Sequence, residues 1–333
     1  MFVDGRPMGI HALPLTLLLA VQPQPQTQAA SQVQSQVQPV PMGEVAYQMA
    51  LLEGGIPELQ LACADAARFN LKPRLQELRD RLMLVAPAPQ PFPVVMANAR
   101  ALLTCKAPAS AQVVLNRFGP GPGQQRRQWL LLDWRAASAS LDHRRAALAL
   151  RRLANGDLAS LDQEQLVVGV SEDGQPLTRS ALDLLAEHEE ASGQLDRAAA
   201  VLLAGRTPGV VAARRYGLVA EWLQTLGQPS SDALLDAALD QAAADQAWST
   251  AVDLLRLQLR LNLQAGGDGS RARQRLERLS RRLDDRYTLL QRSDADPDAL
   301  DQQLRSPRQP GGHAALGESS SAGAPVIAPS PSP

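Results

Sequence analysis

Leu182-Asp-Leu-Leu-Ala-Glu-His-Glu-Glu-Ala-Ser-Gly193-Gln-Leu195-Asp-Arg-Ala198-Ala-Ala-Val-Leu202 contains the pattern that decides the fold. An apolar-periodic segment (Leu182, Leu185, Ala186) stops at Gly193, and a second begins with Leu195, Ala198 and Leu202. The same spelling returns downstream: Leu234, Leu235, Ala238 and Ala242 lead to a break near Gln246, followed by Trp248, Ala251 and Leu255. In both copies a bulky residue is followed by alanine three positions on and leucine four further, which stacks the three side chains on one face of a helix. Small residues at the middle position let a neighbouring helix approach. The expectation is an all-α protein, a helical-hairpin array built either as a solenoid or as an irregular helical bundle, in which stacking buries faces that no single hairpin buries alone.

Composition agrees with a helical fold. The 333 residues are 45% hydrophobic but only 3% aromatic, so the apolar material is mostly Leu, Ala and Val. That mixture favours helix over sheet. Basic residues are almost all arginine, Lys72 and Lys106 being the only lysines, and the formal net charge of -1 removes any global argument for a nucleic-acid partner. Cys63 and Cys105 have no CxxC spacing and no nearby histidine, and read as two buried, inert thiols. The alternative is a single disulfide, which requires an oxidising compartment.

Residues 1–21 include a short apolar run, too short to span a membrane but compatible with a cleavable export signal, and 22–42 form a Gln/Pro-rich linker. Exported or periplasmic and cytoplasmic locations both remain open. Helical patterns follow over 43–52, 57–69 and 73–84, with Pro57 and Pro73 in first turns where an amide hydrogen has no partner. This N-terminal helical segment, 43–85, is separated by the proline-rich connector 86–93 from a main array at 94–292. Gly119-Pro-Gly-Pro-Gly123 has the wrong glycine spacing for a phosphate cradle and reads as a loop. The helix after it carries Trp129, Leu130, Leu131, Leu132 and Trp134, apolar on several faces and therefore central. The stretch 157–176 reads as a short helix to Leu166 followed by an extended piece at Val167–Val170, and Pro176 opens a helical hairpin over 178–204. A last helix at 271–290 carries one apolar stripe (Leu276, Leu279, Leu283, Tyr287, Leu290), as a terminal cap does, and Pro, Gly and Ser make up 16 of the residues in 306–333, a disordered tail.

The two hairpin copies resemble tetratricopeptide-type repeats, with Gly193, Leu195, Ala198, Leu202 and Pro208 matching the second half of that pattern. Gln246 replaces the glycine in the second copy, and Leu195 and Trp248 are further apart than one repeat of that family. The resemblance implies a concave, helix-lined surface used for protein contacts. Candidate repeat positions are Leu195, Ala198, Leu202, Trp248, Ala251 and Leu255.

Catalytic motifs are incomplete. His188-Glu189-Glu190 begins like a zinc-protease helix, but Ser192 stands where the second histidine belongs, and Gly169-Val-Ser171 lacks the closing glycine of a nucleophile elbow. His143, His188, Glu189 and Glu190 read as solvated helix residues. Between Arg126 and Arg152 seven arginines face two aspartates, and Arg144, Arg145, Arg151 and Arg152 fall on one helical face, a candidate surface for an anionic partner, acidic protein or RNA. RNA also wants exposed aromatics, and the neighbours of Trp129 and Trp134 favour burial. The expected function is that of a non-catalytic interaction or scaffold protein with no cofactor, no metal and no transmembrane span, holding a protein partner in a helical groove. The alternatives are a binder of an anionic partner through the arginine face and an enzyme with no recognisable motif.

Overall fold

The computed structural model describes residues 40–85, 89–228 and 231–285. The export-signal region, most of the Gln/Pro linker, Tyr287, Leu290 and the 306–333 tail lie outside them. The fold is all-α: among the described residues thirteen α-helices are joined by one 3-10 turn and a two-stranded hairpin.

The first group comprises α1 (Glu44–Glu53), α2 (Ile56–Arg68), α3 (Lys72–Leu84), α4 (Phe92–Thr104) and α5 (Pro108–Leu115). α2, α3, α4 and α5 each carry proline in the first turn, where its fixed φ suits the helix and its missing N–H costs nothing. On α2 the buried residues Leu59, Ala62, Cys63 and Ala66 follow the i, i+3, i+4, i+7 rule and turn one stripe inward. α4 packs directly on α2, and Asn98 Nδ2 donates to the carbonyl of Leu82 at 3.1 Å. Part of the proline-rich connector lies outside the described residues; Leu59 and Leu78 before it and Val95 and Leu102 after it belong to one core. Proline stops a helix locally, whereas the apolar faces of α2 and α4 decide what packs together.

Cys63 and Cys105 form a disulfide, with Cα atoms 4.7 Å apart. This corrects the expectation of two separate thiols: one turn of α2 and the end of α4, 42 residues apart in sequence, are brought together by helix packing that no local spacing encodes.

α6 (Gly123–Ala139) is central, as its apolar girth suggests. Its Trp129, Leu130, Leu132 and Ala136 complete the first core, while Trp134 and Ala137 enter a second. That second core is shared with α7 (His143–Ala154), α8 (Ala181–Ala191) and α9 (Leu195–Leu203). α10 (Val210–Thr225) repeats the arrangement, giving Val219 and Trp222 to the second core and Ala213 and Ala220 to a third built with α11 (Ser231–Ala244), α12 (Trp248–Gln264) and α13 (Ser270–Arg282). Asp142 caps α7 by accepting from the N–H of Arg145 at 3.1 Å, and Asn155 ends it in the left-handed conformation.

Between α7 and α8 the structure departs from the expected helix. A 3-10 turn (Leu158–Asp162) leads into β1 (Gln165–Val170), which pairs antiparallel with β2 (Pro176–Ser180). β-branched residues in β1 and an Asp173-Gly174 turn, with Gly174 at φ 79°, make this a hairpin. α8 consequently starts at Ala181, capped by Ser180, whose hydroxyl accepts from Leu182 N–H at 3.2 Å. Below the hairpin, Arg215 is buried and makes 2.7 Å ion pairs with both Asp162 and Asp183. Asp162 also accepts from the main-chain N–H groups of Arg206 and Thr207 at 2.7 Å, tying the hairpin base to the loop before α10.

Candidate functional site

A cleft of about 760 Å3 opens between α4, α6, α8 and the hairpin. Arg100 projects from the exposed side of α4, whose opposite face buries Ala99, Ala101 and Leu102. Lys106 follows the disulfide-bonded Cys105 in a left-handed turn at φ 56°, its N–H donating to the carbonyl of Leu103, so a covalent bond fixes the residue beside it. Arg135 lies exposed on α6 between buried Trp134 and Ala136. Arg179 of β2 completes the cationic rim and pairs with Glu187 of α8 at 2.7 Å. Among the described residues, Arg100, Lys106 and Arg135 form no ion pair with a carboxylate. Three uncompensated cations around one concavity raise its potential and favour an anionic occupant.

The wall of the cleft holds a directed hydrogen-bond chain. Trp134 Nε1–H donates to His188 Nε2 at 3.1 Å, and His188 Nδ1 stands 3.1 Å from His143 Nδ1. In the neutral pair, accepting at Nε2 places the His188 hydrogen on Nδ1, which donates to His143; His143 then carries its own hydrogen on Nε2. Burial pushes the His188 pKa down and the neighbouring His143 adds to the shift; the Glu187 and Glu189 carboxylates oppose it and Arg179 reinforces it. His188 is only 5% exposed, contrary to the expectation of a surface residue, because α8 turns it towards α6. Glu189 is likewise buried and accepts from Arg151, while Glu190 stays exposed and accepts from Trp222 Nε1 at 3.0 Å. The hydroxyl of Ser192 bonds back to the carbonyl of His188 at 2.8 Å. No group of three potential metal ligands occurs among the described residues, and none of their helices is long and apolar enough to cross a membrane.

The structure divides the arginine face of α7. Arg145 Nε donates to Asp133 at 2.8 Å and its terminal nitrogen to Asn116 at 2.9 Å, and Arg151 pairs with Glu189. Burial pushes the Asp133 carboxyl above its ordinary range even though Arg145 pulls it down. Arg144 and Arg152 are exposed. The candidate repeat positions also divide. Ala198 and Leu202 are buried in the second core and Leu195 packs at its edge. Ala251 and Leu255 are buried in the third core and floor a smaller cleft of about 390 Å3 rimmed by Arg275, Arg278 and Arg282, and Trp248 is 40% exposed. Ala198 is fully buried, and its small size serves helix–helix contact. Arg135 belongs to the arginine-rich stretch 126–152, but Arg100 and Lys106 lie on other elements and no local signal joins them to it. The one available signal was the Asp173-Gly174 turn after a β-branched run, which marks the wall that closes the cleft.

Comparison of the chain with protein-family models, curated proteins and solved structures finds no match.

Proposed function

We propose that the protein is a non-catalytic interaction protein that receives an acidic segment of a partner protein in the cleft between α4, α6, α8 and the hairpin. The observation that carries this reading is the convergence of Arg100, Lys106 and Arg135 on one concavity without carboxylate partners among the described residues. Two of the four arginines on α7 are by contrast engaged with Asp133 and Glu189, which leaves that face weaker for an outside anion. Electrostatic complementarity of this kind supplies on-rate and selectivity.

A fluorescein-labelled peptide alternating glutamate and valine tests the reading. Its anisotropy with the full chain should rise, the rise should weaken as salt is added, and Arg100→Glu with Arg135→Glu should reduce affinity on the order of tenfold or more. Arg144→Glu with Arg152→Glu should leave binding within about threefold, a change below 1 kcal/mol. If the α7 pair abolishes binding and the cleft pair does not, the cleft reading is wrong. A uridine oligonucleotide that binds better than the peptide and depends on the same cleft arginines would move the assignment to nucleic acid.

A further inference from the structure

Among the described residues β1 is paired on one side only: the hairpin has two strands, so its other edge carries main-chain groups that no described strand pairs. The register identifies them. Ala181 N–H donates to the carbonyl of Glu164 at 2.8 Å, and Leu166, two residues on, lies opposite Arg179, so these positions face β2. The N–H and C=O groups of Gln165 and Val167 therefore point to the free edge.

That edge faces a cleft. A concavity of about 300 Å3 touches Gln165, Leu166 and Val167 in succession. Neighbouring strand residues point to opposite faces, so a cleft touching three in a row runs along the main chain and not over one face. Its far wall is α6, and it adjoins the basic cleft, with which it shares Arg100, Arg135 and Val167. Charge changes along it: the carboxylate of Glu164, paired with Arg127, stands at one end and the uncompensated cations at the other. The side chains of Val167 and Val168 remain about half exposed beside the edge.

We infer that the acidic partner segment binds as an extended strand added to the free edge of β1, hydrogen-bonded to the main chain of Gln165 and Val167, with its carboxylates at Arg100, Arg135 and Lys106. The inference rests on the proposed function and specifies its recognition mode: main-chain hydrogen bonds give affinity, and the flanking cations and the two valines select acidic and apolar residues in alternation. The residue placed beside Glu164 is uncharged, since a carboxylate there meets another.

Two versions of the glutamate-valine peptide, N-methylated at odd or at even amides, test it against the full chain. In an added strand only every second N–H faces β1. One methylated peptide should bind within about threefold of the parent and the other on the order of tenfold more weakly. Val167→Pro, which removes a free-edge donor and leaves the bonds to β2 intact, should weaken the parent peptide similarly, with unchanged far-ultraviolet circular dichroism. If both methylated peptides bind like the parent, or both fail alike, strand addition is wrong while the acid-binding cleft stands. If the unmethylated peptide binds without dependence on Arg100 and Arg135, or does not bind, the cleft reading itself fails. A concentration-dependent dimer abolished by Val167→Pro would make a second copy of this chain the occupant and overturn the proposal.

Discussion

The indole N–H of Trp134 donates to Nε2 of His188 at 3.1 Å, and this one bond sets the protonation pattern of the cleft wall. A ring nitrogen that accepts carries no hydrogen, so His188 is neutral in the folded state, and burial with the adjacent His143 lowers its pKa. The unfolded chain, with a histidine pKa near ~6.5, binds the proton more readily. The His188 contribution to stability is therefore complete above ~6.5 and declines as pH falls from there towards the lower folded value. Nitrogen-detected NMR should show His188 titrating below ~6.5. Trp134→Phe should raise that midpoint and cost about 1–3 kcal/mol by leaving Nε2 without its donor. An unchanged midpoint in Trp134→Phe would refute the account.

The disulfide between Cys63 and Cys105 closes a long loop across α3 and the proline-rich connector. For a separation of 42 residues the chain-entropy relation gives about 4 kcal/mol. The double substitution Cys63→Ala with Cys105→Ala should lower the melting temperature of the full chain, and added reductant should lower that of the native protein alone. Because Lys106 follows Cys105 directly, the same variant should also weaken the acidic peptide. A melting temperature insensitive to reductant in the native protein would contradict a bonded pair.

Asp162 and Arg215 form a 2.7 Å ion pair in which the arginine is almost wholly buried. Burial alone would raise the Asp162 carboxyl, but the N–H of Arg206, the Arg215 guanidinium, and the hydroxyl and N–H of Thr207 hold it below its ordinary value. Asp162→Asn leaves a buried guanidinium with one carboxylate fewer and should cost about 3–5 kcal/mol by urea denaturation at neutral pH. A folded pKa below the unfolded one means that this stability is present above ~3.9 and is lost as pH falls through the folded value, so the gap between native protein and Asp162→Asn should shrink in acid. A gap that persists undiminished well below that range would show that the charge is not the cause.

Gly209 has φ 73° and ψ -141°, a backbone region open essentially to glycine, and a Cβ there would fall within the Asp245 carboxylate that accepts from Val210 N–H at 2.7 Å. Gly209→Ala should cost at least about 1–3 kcal/mol. Adding Asp245→Ala should recover the steric part of the loss and leave the backbone part. No recovery in the double variant would place the whole cost in φ and ψ.

Most of the helices are legible locally, the stretch between α7 and α8 excepted. Leucine and alanine periodicity, proline in first turns and glycine or asparagine at ends are local signals, and they located α8, α9, α11 and α12 within a few residues. The central role of α6 was legible too, since a helix apolar on several faces has to be enclosed. Which distant residues meet follows from the packing of whole elements. The pairing of Cys63 with Cys105, the burial of His188 against Trp134, the neutralisation of Arg145 and Arg151 by Asp133 and Glu189, and the gathering of Arg100, Lys106 and Arg135 around one cleft all join residues on different elements. Helical periodicity fixes the face a side chain occupies on its own helix. The neighbour across from that face is set by how the helices stack, and here also by a hairpin: Val167–Val170 reads as extended, but with Leu166 the one buried apolar residue of the two strands no alternation marks the start of β1 or the whole of β2.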